Sequence, residues 1–266
     1  MKISSTEVID PVKRHALNRI ILKRFILAAT VFGLFAAGPQ AYAGVFSVTP
    51  VRIYMEPKDR AVAVTITNDG DEPLVMQADL YTWKQKPNGE DELTLTEDMF
   101  LSPPIIKLAP NSRQVVRLAR LTPVKSGEQL TYRMIVREIP EAKSAKQDLQ
   151  LQIALAFSMP VFITPPNVKS QLACQLDNSN SLVVVCENTG KAHVHPTQIN
   201  LEAKDGSLLA IEDSGAYLLP GSKRSFQLKP SEKTKASAGQ LPTGKARIAV
   251  VLDDASKQEY DVSIAN

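Results

Sequence analysis

The sequence predicts an all-β protein built from two sandwich domains. Turn signals rich in Gly, Pro, Asn and Asp recur every 8–15 residues, with alternating apolar residues between them. No long segment after residue 43 keeps the 3.6-residue period of a helix. Two prolines in "ITPPNVKS", residues 163–170, end the longest alternating stretch. About 120 residues lie between position 44 and this break, and about 100 follow it. Each part is near the size of one immunoglobulin-like sandwich with Greek-key connections.

The N-terminal 43 residues have the features of a secretory signal peptide. A basic region, residues 13–24, precedes a 14-residue apolar run at 25–38. That run is short for a membrane span, which needs about 20 residues, and Ala41 and Ala43 are the small residues that a signal peptidase reads. A retained membrane anchor is the alternative interpretation. The predicted units are a signal peptide at 1–43, an N-terminal domain at 44–163 and a C-terminal domain at 164–266.

Removal of this leader changes the charge of the protein. Six of the 31 Lys and Arg and two of the 28 Asp and Glu lie in residues 1–43, which leaves 25 basic and 26 acidic residues. The exported chain therefore carries a formal charge of about −1, so its charge gives no reason to expect nucleic-acid binding.

The two cysteines, Cys174 and Cys186, both lie in the exported part. The segment between them, "QLDNSNSLVVV", has turn residues at 177–180 and reads as a hairpin with the cysteines facing each other across two strands. We expect a disulfide, because an exported chain can keep one; two unpaired thiols are the alternative. A metal site is disfavoured by two cysteines without a CxxC motif.

Residues that could carry catalysis are sparse. His193 and His195 alternate along a predicted strand and could point the same way, but no HExxH motif or further exported histidine accompanies them. Strand or loop histidines are the simpler interpretation. The sequence also lacks a GxSxG elbow, a P-loop and a GxGxxG motif. We therefore expect no enzymatic activity, no cofactor and no metal.

The segment "DLQLQIALAFSMP", residues 148–160, places a large apolar residue at every second position. Those residues are Leu149, Leu151, Ile153, Leu155, Phe157 and Met159. Strict alternation predicts a β-strand with all six on one face and small or polar residues on the other. The pattern alone leaves open whether that face covers the domain's own core or the core of a partner.

Six segments resemble, in order, those of the PapD-like periplasmic chaperones of chaperone–usher pilus assembly. They are "VFSVTPVRIYMEP", "VTITNDGDEPLVMQADLYTW", "SPPIIKLAPNSRQVVRLA", "YRMIVREIPE", "LQIALAFSMPVFITPP" and "LVVVCENTGKAHV". The resemblance covers essentially all of residues 44–266. The "MPVF" ending and the "YR" before "REIP" are most similar to the archaic branch of that family.

The resemblance implies two immunoglobulin-like domains in an L (boomerang) arrangement with a cleft between them. It also implies donor-strand complementation, in which an edge strand completes the sheet of a pilus subunit that lacks its last strand. The implied groove-filling residues are Leu149, Leu151, Ile153, Leu155 and Phe157. Burying five such side chains would stabilise the complex by roughly 7–15 kcal/mol before ordering costs. The implied partners are pilus subunits and an outer-membrane usher, in the periplasm, with self-association of the free chaperone.

Members of this family also hold the C-terminal carboxylate of the subunit with basic residues. Arg52 matches the arginine of the family's first strand, and its planar guanidinium can grip a carboxylate through two hydrogen bonds. The position of the family's usual lysine is Pro160 here, so the sequence departs from the pattern. Arg133 is the substitute we expect, with an ordinary surface arginine as the alternative. The short loop at 141–148 resembles the class that builds adhesive pili.

Two other functions are compatible with the composition. A pilus subunit or adhesin would need an N-terminal donor extension, whereas the mature chain runs at once into "VFSVTPVRI". A periplasmic metal-binding protein would use His193 and His195, and a zinc or copper titration would identify it.

Overall fold

The computed structural model describes residues 46–121, 127–140, 153–232, 234 and 241–265. The predicted signal peptide and two residues of the alternating stretch, Leu149 and Leu151, lie outside the described residues. The strands are β1 (Phe46–Thr49), β2 (Ile53–Met55), β3 (Ala61–Asn68), β4 (Leu74–Gln85), β5 (Asp91–Leu95), β6 (Met99–Ser102), β7 (Ile105–Leu108), β8 (Arg113–Arg120), β9 (Leu130–Glu138), β10 (Ala156–Ile163), β11 (Leu172–Leu176), β12 (Val183–Asn188), β13 (Pro196–Ala203), β14 (Leu208–Asp213), β15 (Lys223–Gln227), β16 (Lys229–Pro230), β17 (Gly244–Leu252) and β18 (Lys257–Ile264). In this described part, no helix has the length and apolar character needed to cross a bilayer.

Strands β1 to β10 form the first sandwich. One sheet has the order β1-β3-β8-β6, and the other has the order β2-β10-β9-β4-β5 with β7 also paired to β4. Alternate residues of each central strand point inward, so the sequence alternation fills the space between the sheets. The most deeply buried of these side chains include Val64, Ile66, Met76, Val116, Leu118, Met134 and Val136.

The segment that resembles a single first strand forms two strands in different sheets. β1 pairs antiparallel with β3 in the smaller sheet, and β2 pairs in parallel with β10 in the larger one. The chain changes sheet around Pro50, whose missing N–H cannot continue a ladder. This change of sheet places Arg52 immediately before β2.

Strands β11 to β18 form the second sandwich. Its sheets have the orders β11-β12-β15 and β16-β14-β13-β17-β18. β11 and β12 form the predicted hairpin, with Cys174 directly opposite Cys186 and their sulfurs joined at 2.03 Å. The disulfide predicted from the sequence is confirmed. All-β architecture with two immunoglobulin-like sandwiches is likewise the observed fold.

A buried asparagine closes an equivalent turn in each sandwich. The side-chain amide of Asn68 donates to the carbonyls of Glu72 and Ala109, while its oxygen accepts from the N–H of Gly70. Asn188 is also buried and accepts from Gly190 in the same way. These contacts satisfy backbone groups that the turns would otherwise leave without partners.

Candidate functional site

The N-terminal half of β10 is a free sheet edge in the described structure. β9 pairs with β10 from Ala156 to Ile163, whereas β2 pairs with β10 only from Val161 onward. The carbonyl of Leu155 accepts a 2.9 Å hydrogen bond from the N–H of Glu138. Because antiparallel partners exchange hydrogen bonds at every second residue, this contact fixes the direction of every backbone group along β10.

Along this half of β10, one row of backbone groups has no pairing strand among the described residues. Phe157 and Met159 face β9, so the N–H and C=O groups of Ala156 and Ser158 face away from it. Pro160 also faces away from β9, so its lack of an N–H breaks no bond in the β9–β10 ladder. A proline inside an apparently continuous strand is therefore tolerated here.

The apolar stripe divides into an exposed part and a core part. Ile153, Leu155 and Phe157 expose 48%, 37% and 39% of their surface. Met159 is on the same side of the strand but is completely buried with Val161 in the first core. Met159 is not among the five residues expected to fill a subunit groove, and the opposing sheet covers its end of β10.

The strand register brings the two predicted arginines into one row. Arg133 lies directly opposite Pro160 in the β9–β10 pair. Continuing the β2–β10 register by one residue places Arg52 on the other side of Pro160. Residues opposite each other on paired strands share a sheet face, so Arg52 and Arg133 flank Pro160 on the face opposite Met159.

Arg52 reaches the second sandwich. Its Nη1 atom lies 2.6 Å from Oδ2 of Asp253, in the turn between β17 and β18. The two side chains are partly exposed, at 36% and 25%. Although burial acts to lower it, the pKa of Arg52 is raised by nearby Tyr217, by a hydrogen bond with Tyr54 and by Asp253. Arg52 therefore stays positively charged and links the two sandwiches.

Arg133 is largely enclosed by aromatic rings. Its guanidinium carbon lies 3.7 Å from the ring centroid of Trp83 and 5.6 Å from that of Tyr217, which belongs to the second sandwich. Its Nη2 atom is 3.8 Å from Oδ2 of Asp91, and 16% of the side chain is exposed. Burial lowers the pKa of Arg133, but a guanidinium remains protonated at neutral pH. The surface-arginine alternative does not describe this environment.

Stacked rings join the two sandwiches beneath the arginines. His193 lies flat on Phe162 with ring centroids 3.7 Å apart, and His195 lies flat on Tyr217 at 3.9 Å. Trp83 meets the edge of Tyr217 at 5.4 Å. Sequence reasoning did not find this cluster, because its members come from strands and loops of both sandwiches. The only early signal was the two-residue spacing of the histidines.

Both histidines contact neighbouring polar side chains of the protein. Nδ1 of His193 is 2.9 Å from Oε1 of Gln129, and burial lowers the pKa of His193 to about 4. Nδ1 of His195 is 3.4 Å from Oδ2 of Asp253. Within the residues that the structure describes, no three His, Cys, Asp or Glu side chains are grouped to hold a metal ion.

Glutamine side chains add polar links across the same junction. The amide of Gln85 donates from Nε2 to the carbonyl of Tyr217 and accepts at Oε1 from the N–H of Leu219, both at 2.9 Å. Gln129 accepts from the N–H of His193 at 2.8 Å. Because these bonds pair side chains with backbone groups, they favour one relative position of the strands that meet here.

Comparison with known proteins shows which class the chain resembles, the chaperones of pilus assembly. Residues 45–169 match the family described as "Pili and flagellar-assembly chaperone, PapD N-terminal domain".

Individual relatives are similar at low sequence identity. The chaperone protein LpfB of Salmonella typhimurium is 22% identical over 181 residues, which cover 66% of this chain and 73% of LpfB. A chain of the CsuC–CsuE chaperone–tip adhesion subunit complex of Acinetobacter baumannii superimposes with a TM-score of 0.58 at 17% identity, covering 82% of this chain and 98% of its own. The Salmonella enterica SafA pilin–SafB chaperone complex gives 0.58 at 11% identity, covering 85% and 99%. The two structures share the fold with this chain.

Proposed function

We propose that the protein is a periplasmic chaperone that caps pilus subunits by adding the free edge of β10 to their incomplete sheets. The observation that carries this proposal is the free edge itself. Backbone groups of Ala156 and Ser158 point outward, next to the half-exposed side chains of Ile153, Leu155 and Phe157. An apolar edge strand favours aggregation unless a partner covers it. A subunit strand would satisfy the backbone groups and cover the side chains together.

The exposed fractions set the size of the apolar contribution. Complete burial of one such side chain is worth about 1.5–3 kcal/mol. Between a third and a half of Ile153, Leu155 and Phe157 is left to cover, so these three would contribute roughly 2–4 kcal/mol together. That is a smaller gain per residue than the sequence alone suggested. Leu149 and Leu151, which lie outside the described residues, belong to the same proposed donor segment.

The proposed anchor for the subunit's C-terminal carboxylate is the pair Arg52 and Arg133. They flank Pro160 on one face of the sheet, and both lie near Tyr217. Two guanidinium groups can replace the single lysine of the family's pattern, since each offers several fixed N–H donors. The partial enclosure of Arg133 strengthens a charge-assisted hydrogen bond made there.

The cellular setting follows from the predicted signal peptide and from the relatives. The CsuC–CsuE and SafA–SafB structures contain a chaperone with its subunit, which supports pilus subunits as partners of this protein. The similarity to a protein of archaic Csu pili supports placement in that branch. We propose delivery of the capped subunits to an outer-membrane usher, and self-association of the chaperone when free. Capping needs no nucleotide, because folding of the subunit supplies the free energy.

The arginine pair offers the sharpest test of this proposal. The chaperone would be co-expressed with a small secreted pilus subunit, and the amount of complex recovered from the periplasm would be measured. Arg52→Ala should abolish recovery of the complex, because the carboxylate loses its charge-assisted partner. Arg117→Ala, an exposed arginine on β8 of the smaller sheet, is the matched control and should bind normally. Equal recovery with Arg52→Ala and Arg117→Ala would refute the proposed anchor.

A further inference from the structure

The carboxylate site proposed above already contains two carboxylates. Nη1 of Arg52 is 2.6 Å from Oδ2 of Asp253, and Nη2 of Arg133 is 3.8 Å from Oδ2 of Asp91. The two positive charges are therefore matched by two negative charges before a subunit arrives. A third carboxylate at Arg52 would meet the negative charge of Asp253 within a few ångströms, where like charges repel.

We infer that Asp253 is an internal competitor for the carboxylate site at Arg52. It occupies the guanidinium in the free protein, and an incoming carboxylate must displace it. This inference rests on the proposed function, because it concerns the same arginine. It adds a residue of the second sandwich to the determinants of subunit binding.

The surroundings of Asp253 fit a replaceable ion pair. Asp253 lies in the short turn between β17 and β18, and its N–H donates to the carbonyl of His195 at 3.1 Å. The backbone at Asp253 is thus held independently of Arg52. A partly exposed ion pair contributes about 1 kcal/mol or less, so its exchange for another carboxylate costs little.

Competition by Asp253 would favour subunits over small anions. A small anion that displaces Asp253 only replaces one ion pair of Arg52 with another. A subunit also offers the apolar and backbone contacts along β10, which add to its binding free energy. Release of Arg52 from Asp253 would therefore accompany pairing of the donor strand.

Direct binding of a small carboxylate can test this inference. N-acetylglycine is the probe, N-acetylglycinamide is its uncharged counterpart, and the Arg52 side-chain Nε–H signal in NMR reports binding. Asp253→Asn and Asp253→Ser should both bind N-acetylglycine about fivefold more tightly than the unaltered protein, the factor that about 1 kcal/mol provides. Neither should gain affinity for the amide. Equal or weaker binding by both variants would overturn the inference, because Asp253 would then position Arg52 rather than compete for it.

Two controls separate competition from other effects. Asp254→Asn removes the same charge one residue away, where the carboxylate accepts from the N–H of Ser256 in its own turn, and should leave the affinity unchanged. Gln85→Ala loosens the junction between the sandwiches without touching Asp253. A gain with Gln85→Ala equal to that of Asp253→Asn would overturn the inference in favour of loosening.

Arg52→Ala distinguishes failure of the competitor role of Asp253 from failure of the arginine anchor. If it loses N-acetylglycine binding while Asp253→Asn gains none, the competitor role alone fails and the anchor stands. If Arg52→Ala binds as well as the unaltered protein, both the anchor and the competitor role are refuted.

Discussion

The division of the apolar stripe on β10 predicts opposite consequences for the same substitution at two positions. Ile153→Asp changes a side chain that is 48% exposed, whereas Met159→Asp changes one that is completely buried on the same side of the strand. The first loses about half the burial of an isoleucine, roughly 1 kcal/mol of the free energy of unfolding. The second leaves an unpaired carboxylate in the core and should cost several kcal/mol.

Ile153→Asp should weaken subunit binding much more than it weakens the protein's own fold. Ile153→Asp would place a charge in the apolar groove of a subunit, a loss of about 3 kcal/mol or more and therefore of about a hundredfold in affinity. Ala154→Asp is the matched control, since it adds the same charge at an exposed residue of the opposite parity.

Urea unfolding and subunit co-purification measure the two effects separately. The expected outcome for Ile153→Asp is a near-normal unfolding midpoint without recovered subunit, while Ala154→Asp retains the subunit. If Ile153→Asp unfolds as readily as Met159→Asp, the exposed stripe belongs to the domain's own core and the donor role is wrong.

Three further predictions concern other parts of the chain. Replacing Cys174 and Cys186 by serine should lower the free energy of unfolding of the second sandwich by about 2–4 kcal/mol, and urea unfolding with unchanged stability would contradict this. Burial lowers the pKa of His193 to about 4 from its ordinary value, so the unfolded chain binds more protons between about pH 6.5 and pH 4 and stability should fall as the pH drops through that window. His193→Phe keeps the stacked ring and should reduce that pH dependence in thermal unfolding. If the variant and the unaltered protein have the same pH profile, His193 is not the source of the pH dependence. N-terminal sequencing of the periplasmic protein should begin at Gly44, and a start before the apolar run would reject the signal peptide.

Local alternation was sufficient to predict the strands and the apolar stripe. The period-two pattern identifies the inward face of a strand such as β4, whose buried residues follow the alternation from Leu74 to Leu80. Likewise, the turn between Cys174 and Cys186 was enough to predict the hairpin and the disulfide. Each of these features depends on residues that are close in sequence.

Features that depend on strands far apart in the sequence could not be predicted from local alternation. Burial of Met159 depends on the opposing sheet covering that end of β10, and the two-residue period continues unchanged through it. The split of the first strand into β1 and β2 depends on which sheet each half joins. The contact of Arg52 with Asp253 joins residues 201 positions apart, and no periodicity reports such a pair.

Amide hydrogen exchange along β10 tests the donor-strand account most directly. In the free protein the N–H groups of Phe157 and Met159 bond to β9 and should exchange slowly, while those of Ala156 and Ser158 face the open edge and should exchange fast. Binding of a subunit should slow exchange at Ala156 and Ser158 by at least about a hundredfold, as an added strand pairs with them. If the subunit binds and these two amides still exchange at their free rate, the subunit is held elsewhere and β10 is not the donated strand.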